Sequence, residues 1–396
     1  MKPLLAIEEP PRRGPAGFAL FALGFRPFYL LASVFAALSV PLWALQYAGL
    51  LGHAYLAGPV WHAHEMLFGF TLAVIVGFLF TAGRNWTNLP TPTGWRLGVL
   101  AALWVVARVL VLTPWGVAAA VANVAFPLAA ALALAVPFVK SRNRRNYFFI
   151  GLLVLLAAAA GFVHLAQLGV VTVPRGLGIP VALDVVLFIL AVMGGRVIPM
   201  FTNNGVPGAA ATRRPGVEKA ALGGVLAVLV ADAAGLQGGP LATLALAAGV
   251  AQAWRWVLWQ PWRTLRVPLV WVLHLAYLWV PLHLMLRGAA ELGWLMPSLA
   301  THALTVGAVG GLVIGMMTRT ARGHTGRPLQ ADRYEVACYL MVASAAAVRV
   351  ILPLVAPAQI VHAALVSALL WSAGFGLYAV RYWPVLSRPR VDGRPG

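Results

Sequence analysis

Residues Trp61 to Gly94, WHAHEMLFGFTLAVIVGFLFTAGRNWTNLPTPTG, combine the chain's unusual chemistry with a membrane span. His62, His64 and Glu65 open the segment, a long apolar run containing Gly69 and Gly77 follows, and Arg84, Asn85 and Trp86 close it before Pro90 and Pro92. A helix of roughly twenty such residues crosses a bilayer core. The imidazoles therefore sit at one membrane face and the Arg-Asn-Trp group at the other. Ionisable groups within spans are costly, which makes them functional candidates.

Working outward, the 396 residues are 61% hydrophobic and only 10% charged, with a mean hydropathy of +0.85, which excludes a soluble globular protein. The expected fold is all-α: a polytopic helical bundle forming one membrane domain over 27–382, between a cytoplasmic segment 1–26 and a cytoplasmic tail 383–396. A single cysteine, Cys338, excludes internal disulfides and thiolate-rich metal modules. The net charge of +19 reflects loop topology in such a chain, so no nucleic-acid partner is expected; the bilayer is the partner. Met1 to Gly14 lacks the apolar core of a cleavable leader.

Apolar runs between Pro, Gly and basic clusters predict about twelve spans, near 27–49, 60–82, 95–113, 116–139, 147–170, 179–202, 217–236, 240–260, 265–287, 298–319, 333–354 and 358–382. With the N-terminus inside, basic residues including Arg12, Arg13, Lys140, Arg213 and Arg388 cluster at cytoplasmic ends, while the outer connections 50–59, 114–115, 237–239 and 355–357 carry no Lys or Arg. An even number of spans with both termini cytoplasmic follows. Arg26, Arg145 and Arg266 precede spans 1, 5 and 9 at separations of 119 and 121 residues, and Arg84, Arg196 and Arg319 follow spans 2, 6 and 10. This suggests three four-helix repeats.

Against that topology, His62, His64, His164, His283, His302 and His362 share the outer depth, with His53 in an outer loop, His274 near the midplane and only His324 cytoplasmic. Each alone reads as a hydrogen-bonded helix end. Together they suggest a histidine-ligated redox metal or haem, with His62, His64, His283 and His302 as candidate metal ligands. At 100° per residue, His62 and His64 point about 200° apart and serve different centres. Glu65 shares a face with His62 and is a candidate acceptor for an imidazole or a proton carrier. Asp184 is the other candidate for proton transfer, or a partner for a histidine, with helix capping as the alternative. Arg108 and Arg349 lie in the outer half of the bilayer, where they suit haem propionates or snorkel outward. Gly307, Gly311 and Gly315 serve either close helix packing or the approach of a flat macrocycle.

At the inner face, Arg84, Asn85, Arg196, Arg319, His324 and Arg327, with Asn203, Asn204 and Thr325, are expected to form a cationic polar patch. It would hold an anion, a quinone headgroup or a second cofactor, unless the arginines only anchor topology.

GFRPFYLL at Gly24 to Leu31, WHAHEMLFGF at Trp61 to Phe70, TAGRNWTNLPTPTG at Thr81 to Gly94, GGRVIPMFTNNG at Gly194 to Gly205 and GMMTRTARGHTGRPL at Gly315 to Leu329 together resemble the NnrS family of bacterial membrane proteins. The resemblance implies a roughly twelve-helix protein of the cytoplasmic (inner) membrane containing haem, expected as b-type, and copper. It also implies a role in nitric oxide metabolism and resistance to nitrosative stress, as a haem–copper oxidoreductase acting on nitric oxide or as a binder or electron carrier, with a quinol or other electron donor. The alternative class is a non-enzymatic transporter, or a metal- or haem-handling protein, that uses the histidine layer as a translocation site. A haem electron relay is a third reading.

Overall fold

The computed structural model describes residues 17–47, 49–52, 55–172 and 177–394; His53, Arg12, Arg13 and most of the 1–26 segment lie outside them. Among the described residues there are twelve long helices and no strand. They are α1 (Phe25–Tyr47), α2 (Gly58–Thr87), α3 (Gly94–Val111), α4 (Gly116–Lys140), α5 (Phe148–Gln167), α6 (Ile179–Gly205), α7 (Pro215–Ala233), α8 (Gly239–Leu258), α9 (Pro268–Glu291), α10 (Pro297–His324), α11 (Arg333–Val355) and α12 (Ile360–Ser387). Each overlaps one expected span, and α12 runs on past residue 382. Proline in the first turn of α2, α6, α7, α8, α9 and α10 starts these helices where its missing N–H costs nothing. Helix α11 starts on a capping box, with Asp332 accepting from the Tyr334 and Glu335 amides and Glu335 accepting from Asp332.

Eleven of the twelve are long and apolar enough to cross a bilayer. The twelfth, α7, falls short because it carries Glu218, Lys219 and Asp232. Both of its acids are neutralised inside the bundle: Glu218 receives two bonds from Arg255 of α8, and Asp232 pairs with Arg287 of α9. The acidic charge of α7 is therefore met by arginines of its neighbours while Lys219 stays exposed, and the helix packs with α6 and α8.

The helices fall into three sets of four. In each set the fourth helix packs on the first of the next: α4 on α5, α8 on α9, and α12 back on α1. Trp371 of α12 fastens that closure by donating to the Ala36 carbonyl of α1 at 3.2 Å. The second helix of each set, α2, α6 or α10, is deeply buried, with 83%, 72% and 67% of its span covered; α9 matches α10 at 67%, and the other spans are 33–44% buried.

Helices α2 and α10 repeat in detail. His64 and His302, Gly69 and Gly307, and Gly77 and Gly315 are each 238 residues apart. In both helices the histidine is followed at once by a π-helical segment, Glu65–Thr71 in α2 and Ala303–Gly310 in α10. In this register the counterpart of Arg84 is Arg322, rather than the Arg319 that the sequence spacing suggested. The glycines are sites of close helix packing: a Cβ on Gly77 would come 2.9 Å from Phe28, and one on Gly307 2.4 Å from the Trp279 ring. Gly311 and Gly315 likewise face Ala276 and Val272 of α9, so side chains occupy the place expected for a macrocycle.

Candidate functional site

At the start of α2 the chain assembles a buried polar chain of groups. His64 Nδ1 lies 2.7 Å from Glu65 Oε1, and the same oxygen accepts from Arg108 of α3 at 2.6 Å. Arg108 also donates to Asn123 of α4, whose amide donates to the Ala119 carbonyl at 2.8 Å. On the other side, His64 Nε2 lies 3.1 Å from Nε2 of His164 on α5, and Tyr55 meets His164 Nδ1 at 3.0 Å with its ring stacked on the imidazole. His64, Glu65 and His164 are essentially inaccessible to solvent.

The π-helical segment makes this possible. Widening the helix by one residue displaces backbone groups, and here they are reclaimed: Thr71 donates to the Met66 carbonyl five residues back, and Trp104 of α3 donates to the Gly69 carbonyl at 3.0 Å. Such insertions are concentrated at functional sites.

Proton positions follow from the partners. Glu65, with Arg108 donating to it, is an acceptor, so His64 carries its proton on Nδ1 and presents a lone pair at Nε2. His164 then donates from Nε2 and receives the Tyr55 hydroxyl proton at Nδ1. All four links are satisfied with both rings neutral, giving a continuous proton path from Tyr55 to Glu65. The facing nitrogens are also close enough to reach one ion at the roughly 2.0–2.1 Å of metal–imidazole bonds, with His164 moving its proton to Nδ1 and donating to Tyr55.

The other candidates fall elsewhere. His62 does point away from His64, as the helical spacing requires: its ring packs 4.5 Å from Trp43 of α1, within electrostatic reach of His302 and Arg349. His302 donates from Nδ1 to the Ser298 carbonyl at 2.6 Å, and His283 from Nδ1 to the Ala300 carbonyl at 2.8 Å. Both therefore present an Nε2 lone pair, as His64 does, which is the tautomer a metal ligand needs. Buried atoms without a hydrogen-bond partner include His62 Nδ1, His283 Nε2 and Arg349 Nη1. Among the described residues no three His, Cys, Asp or Glu side chains converge as a metal cluster; His62, His302 and Arg349 lie within electrostatic reach of one another, and imidazole lone pairs with a guanidinium N–H are the donor types that suit a metal and an anionic cofactor edge. Glu65 serves His64 rather than His62, because its carboxylate turns toward Arg108. Arg108 commits both terminal nitrogens to Glu65 and Asn123 and keeps a buried Nε without a hydrogen-bond partner, while Arg349 keeps a buried Nη1 in the same condition. His362 is exposed on the outer surface of α12 and joins neither group.

Asp184 is fully buried but lies in a third node: Arg287 donates to it at 3.2 Å and to Asp232 at 2.6 Å, one turn from His283 on α9. Sequence reading missed Tyr55, Asn123, Asp232 and Arg287. The one available signal was Arg287, four residues after His283 and so on the same helical face.

The inner-face residues resolve into separate settings. Arg196 donates to Asn146 at 2.7 Å among the Trp86, Phe148 and Phe149 rings, and Arg319 lies 3.8 Å over the Phe201 ring. Arg84 is within electrostatic reach of His324, while Asn85 is exposed. His324 packs on Phe25, and its carbonyl accepts from Arg390, whose hydrogen bond holds the Asp392 carboxyl down at about 2. Arg327 Nη1 is buried without a hydrogen-bond partner. Asn203 pins the Ala211 backbone and Thr325 bonds to Ala321, so both serve local structure.

These features define a class: a polytopic helical membrane protein with a buried histidine–carboxylate–arginine node at one end of its inner helices. The profile of the NnrS protein family matches residues 19–390, nearly the whole chain, and the chain belongs to that family. No match is found among curated protein sequences.

Proposed function

We propose that this chain is a haem- and copper-dependent protein of the bacterial cytoplasmic membrane that binds nitric oxide and detoxifies or reduces it with electrons from a quinol or another donor. Family membership supports a role in the nitric oxide response. The observation that carries the cofactor reading is the His64–His164 pair: two neutral imidazoles from different helices face each other Nε2 to Nε2 at 3.1 Å, and one is oriented by a buried carboxylate. Imidazole favours copper among the available first-row metals, so this pair is assigned to copper. His62, His302, His283 and Arg349, with their uncommitted ring nitrogens and guanidinium N–H, are assigned to haem. When bound, such a centre supplies the electrons and the diatomic-binding position that no side chain offers.

The chain's own residues supply the rest. Glu65 and Arg108 fix the His64 tautomer, Tyr55 would accept from His164 Nδ1 and so hold that ring with Nε2 toward the pair, and the surrounding apolar helices exclude water. Asp184, Asp232 and Arg287 form a second buried acid group suited to proton storage. Copper and haem content, measured on purified wild type, His64→Ala, His164→Ala and His302→Ala, test the assignment. Loss of copper in the first two and of haem in the third supports it; wild-type content in all three removes these residues from the ligand set.

A further inference from the structure

The three innermost helices do not close on one another. Between α2, α6 and α10 lies a partly open cavity of about 90 Å³. Its walls come from equivalent turns of the repeat: Val74 and Ile75 of α2, Ile189 and Met193 of α6, and Leu312 and Val313 of α10. Four α2 residues at the wall, Thr71, Val74, Ile75 and Phe78, correspond at the same 238-residue offset to Val309, Leu312, Val313 and Met316. The wall positions thus follow the internal repeat, with Tyr29 of α1 and Leu273 of α9 also lining the space.

Its chemistry is one-sided. Apart from the Tyr29 hydroxyl and the Thr71 hydroxyl, which is already committed to the Met66 carbonyl, the wall is aliphatic, aromatic or thioether. A water needs two to four polar partners to stay in such a space, whereas dry apolar cavities of this order take up xenon and similarly small apolar molecules. One turn beyond the wall toward the arginine-rich end, Arg319 of α10 lies across the Phe201 ring of α6 and bridges the two helices where they leave the cavity.

We propose that this cavity is a binding site for a small apolar molecule of the size of a diatomic gas, held by dispersion between the three inner helices and separate from the histidine nodes. That the physiological occupant is nitric oxide rests on the function proposed above; the site itself does not.

Xenon is the probe. Crystals or detergent-solubilised protein pressurised with xenon should show one occupied site between Ile75, Met193 and Val313, seen by anomalous scattering or by the shift of the ¹²⁹Xe resonance. That site should be lost in the Ile75→Phe/Val313→Phe variant, which fills the space while leaving the histidine nodes and the metal content as in wild type. An ordered water, a lipid chain or no density in wild type overturns the proposal, and this result does not depend on whether the variant folds. Xenon binding in a protein that contains neither haem nor copper would uphold the cavity while removing the reading of nitric oxide as its occupant.

Discussion

Replacing Glu65 by Gln removes one charge and almost no volume, and its cost is set by what Arg108 has left. In the native protein Arg108 Nη1 lies 2.6 Å from the Glu65 carboxylate, and both side chains are buried. Two opposite charges about 4 Å apart at an effective dielectric of about 20 attract by about 4 kcal/mol. Breaking one side of a buried pair typically costs about 3–5 kcal/mol, because the remaining charge stays desolvated. Asn123 still accepts from Arg108, so the expected loss lies near the lower bound, about 3 kcal/mol. Removing both charges in Glu65→Gln/Arg108→Met should cost less than the sum of the single variants by about 2 kcal/mol, the mark of direct coupling. Reversible SDS unfolding of the detergent-solubilised protein, followed by circular dichroism, measures all four corners of the cycle. A single-variant loss under about 1 kcal/mol, the range of solvated surface pairs, would refute the reasoning by showing that water reaches Arg108.

A periplasm-active reporter fused after Gly396 should be inactive and a cytoplasm-active one functional, because the basic residues gather at the end of the bundle where α1 begins beside the end of α12; the opposite result inverts the whole topology. Gly307→Leu should prevent stable assembly and Gly98→Leu should not, because a Cβ at Gly307 meets the Trp279 ring at 2.4 Å while one at Gly98 finds its nearest neighbour at 3.9 Å; membrane-inserted monodisperse protein reports the difference. Arg319→Lys should keep wild-type membrane levels but lose part of the stability supplied by the cation–π contact with Phe201, and Arg319→Ala should lose more; equal stability in all three would reduce this arginine to a topology signal.

The helices were legible in the sequence because a bilayer imposes a length and a polarity on every span, and α7 was among them; what needed the structure was how that helix carries its charge. Its acids look like loop charges until Arg255 and Arg287 are seen to meet them. The opposite aims of His62 and His64 followed from helical geometry alone. The partners of His64 did not: His164 is 100 residues away and Tyr55 sits in a connection, so only tertiary packing brings them to it. Glu65 was found but given to the wrong imidazole, since i to i+3 spacing says nothing about an arginine arriving from α3. The inner-face patch was read as one site because positive-inside charge puts arginines at one level; the aromatic rings that hold Arg196 and Arg319 apart carry no spacing signal. The detailed repeat was present in the residue numbers, and the paired π-helical segments made its register visible.

The central claim is that facing imidazoles at the start of α2 and on α5 hold a metal. Copper stoichiometry and the X-ray absorption spectrum of the purified wild-type protein, compared with His164→Ala, test it most directly. The account predicts copper with at least two imidazole nitrogens in its first coordination sphere, lost or reduced to one imidazole when His164 is removed. A wild-type protein that contains no copper, or one whose copper keeps an unchanged nitrogen shell in His164→Ala, would contradict it and leave His64 and His164 as a proton path alone.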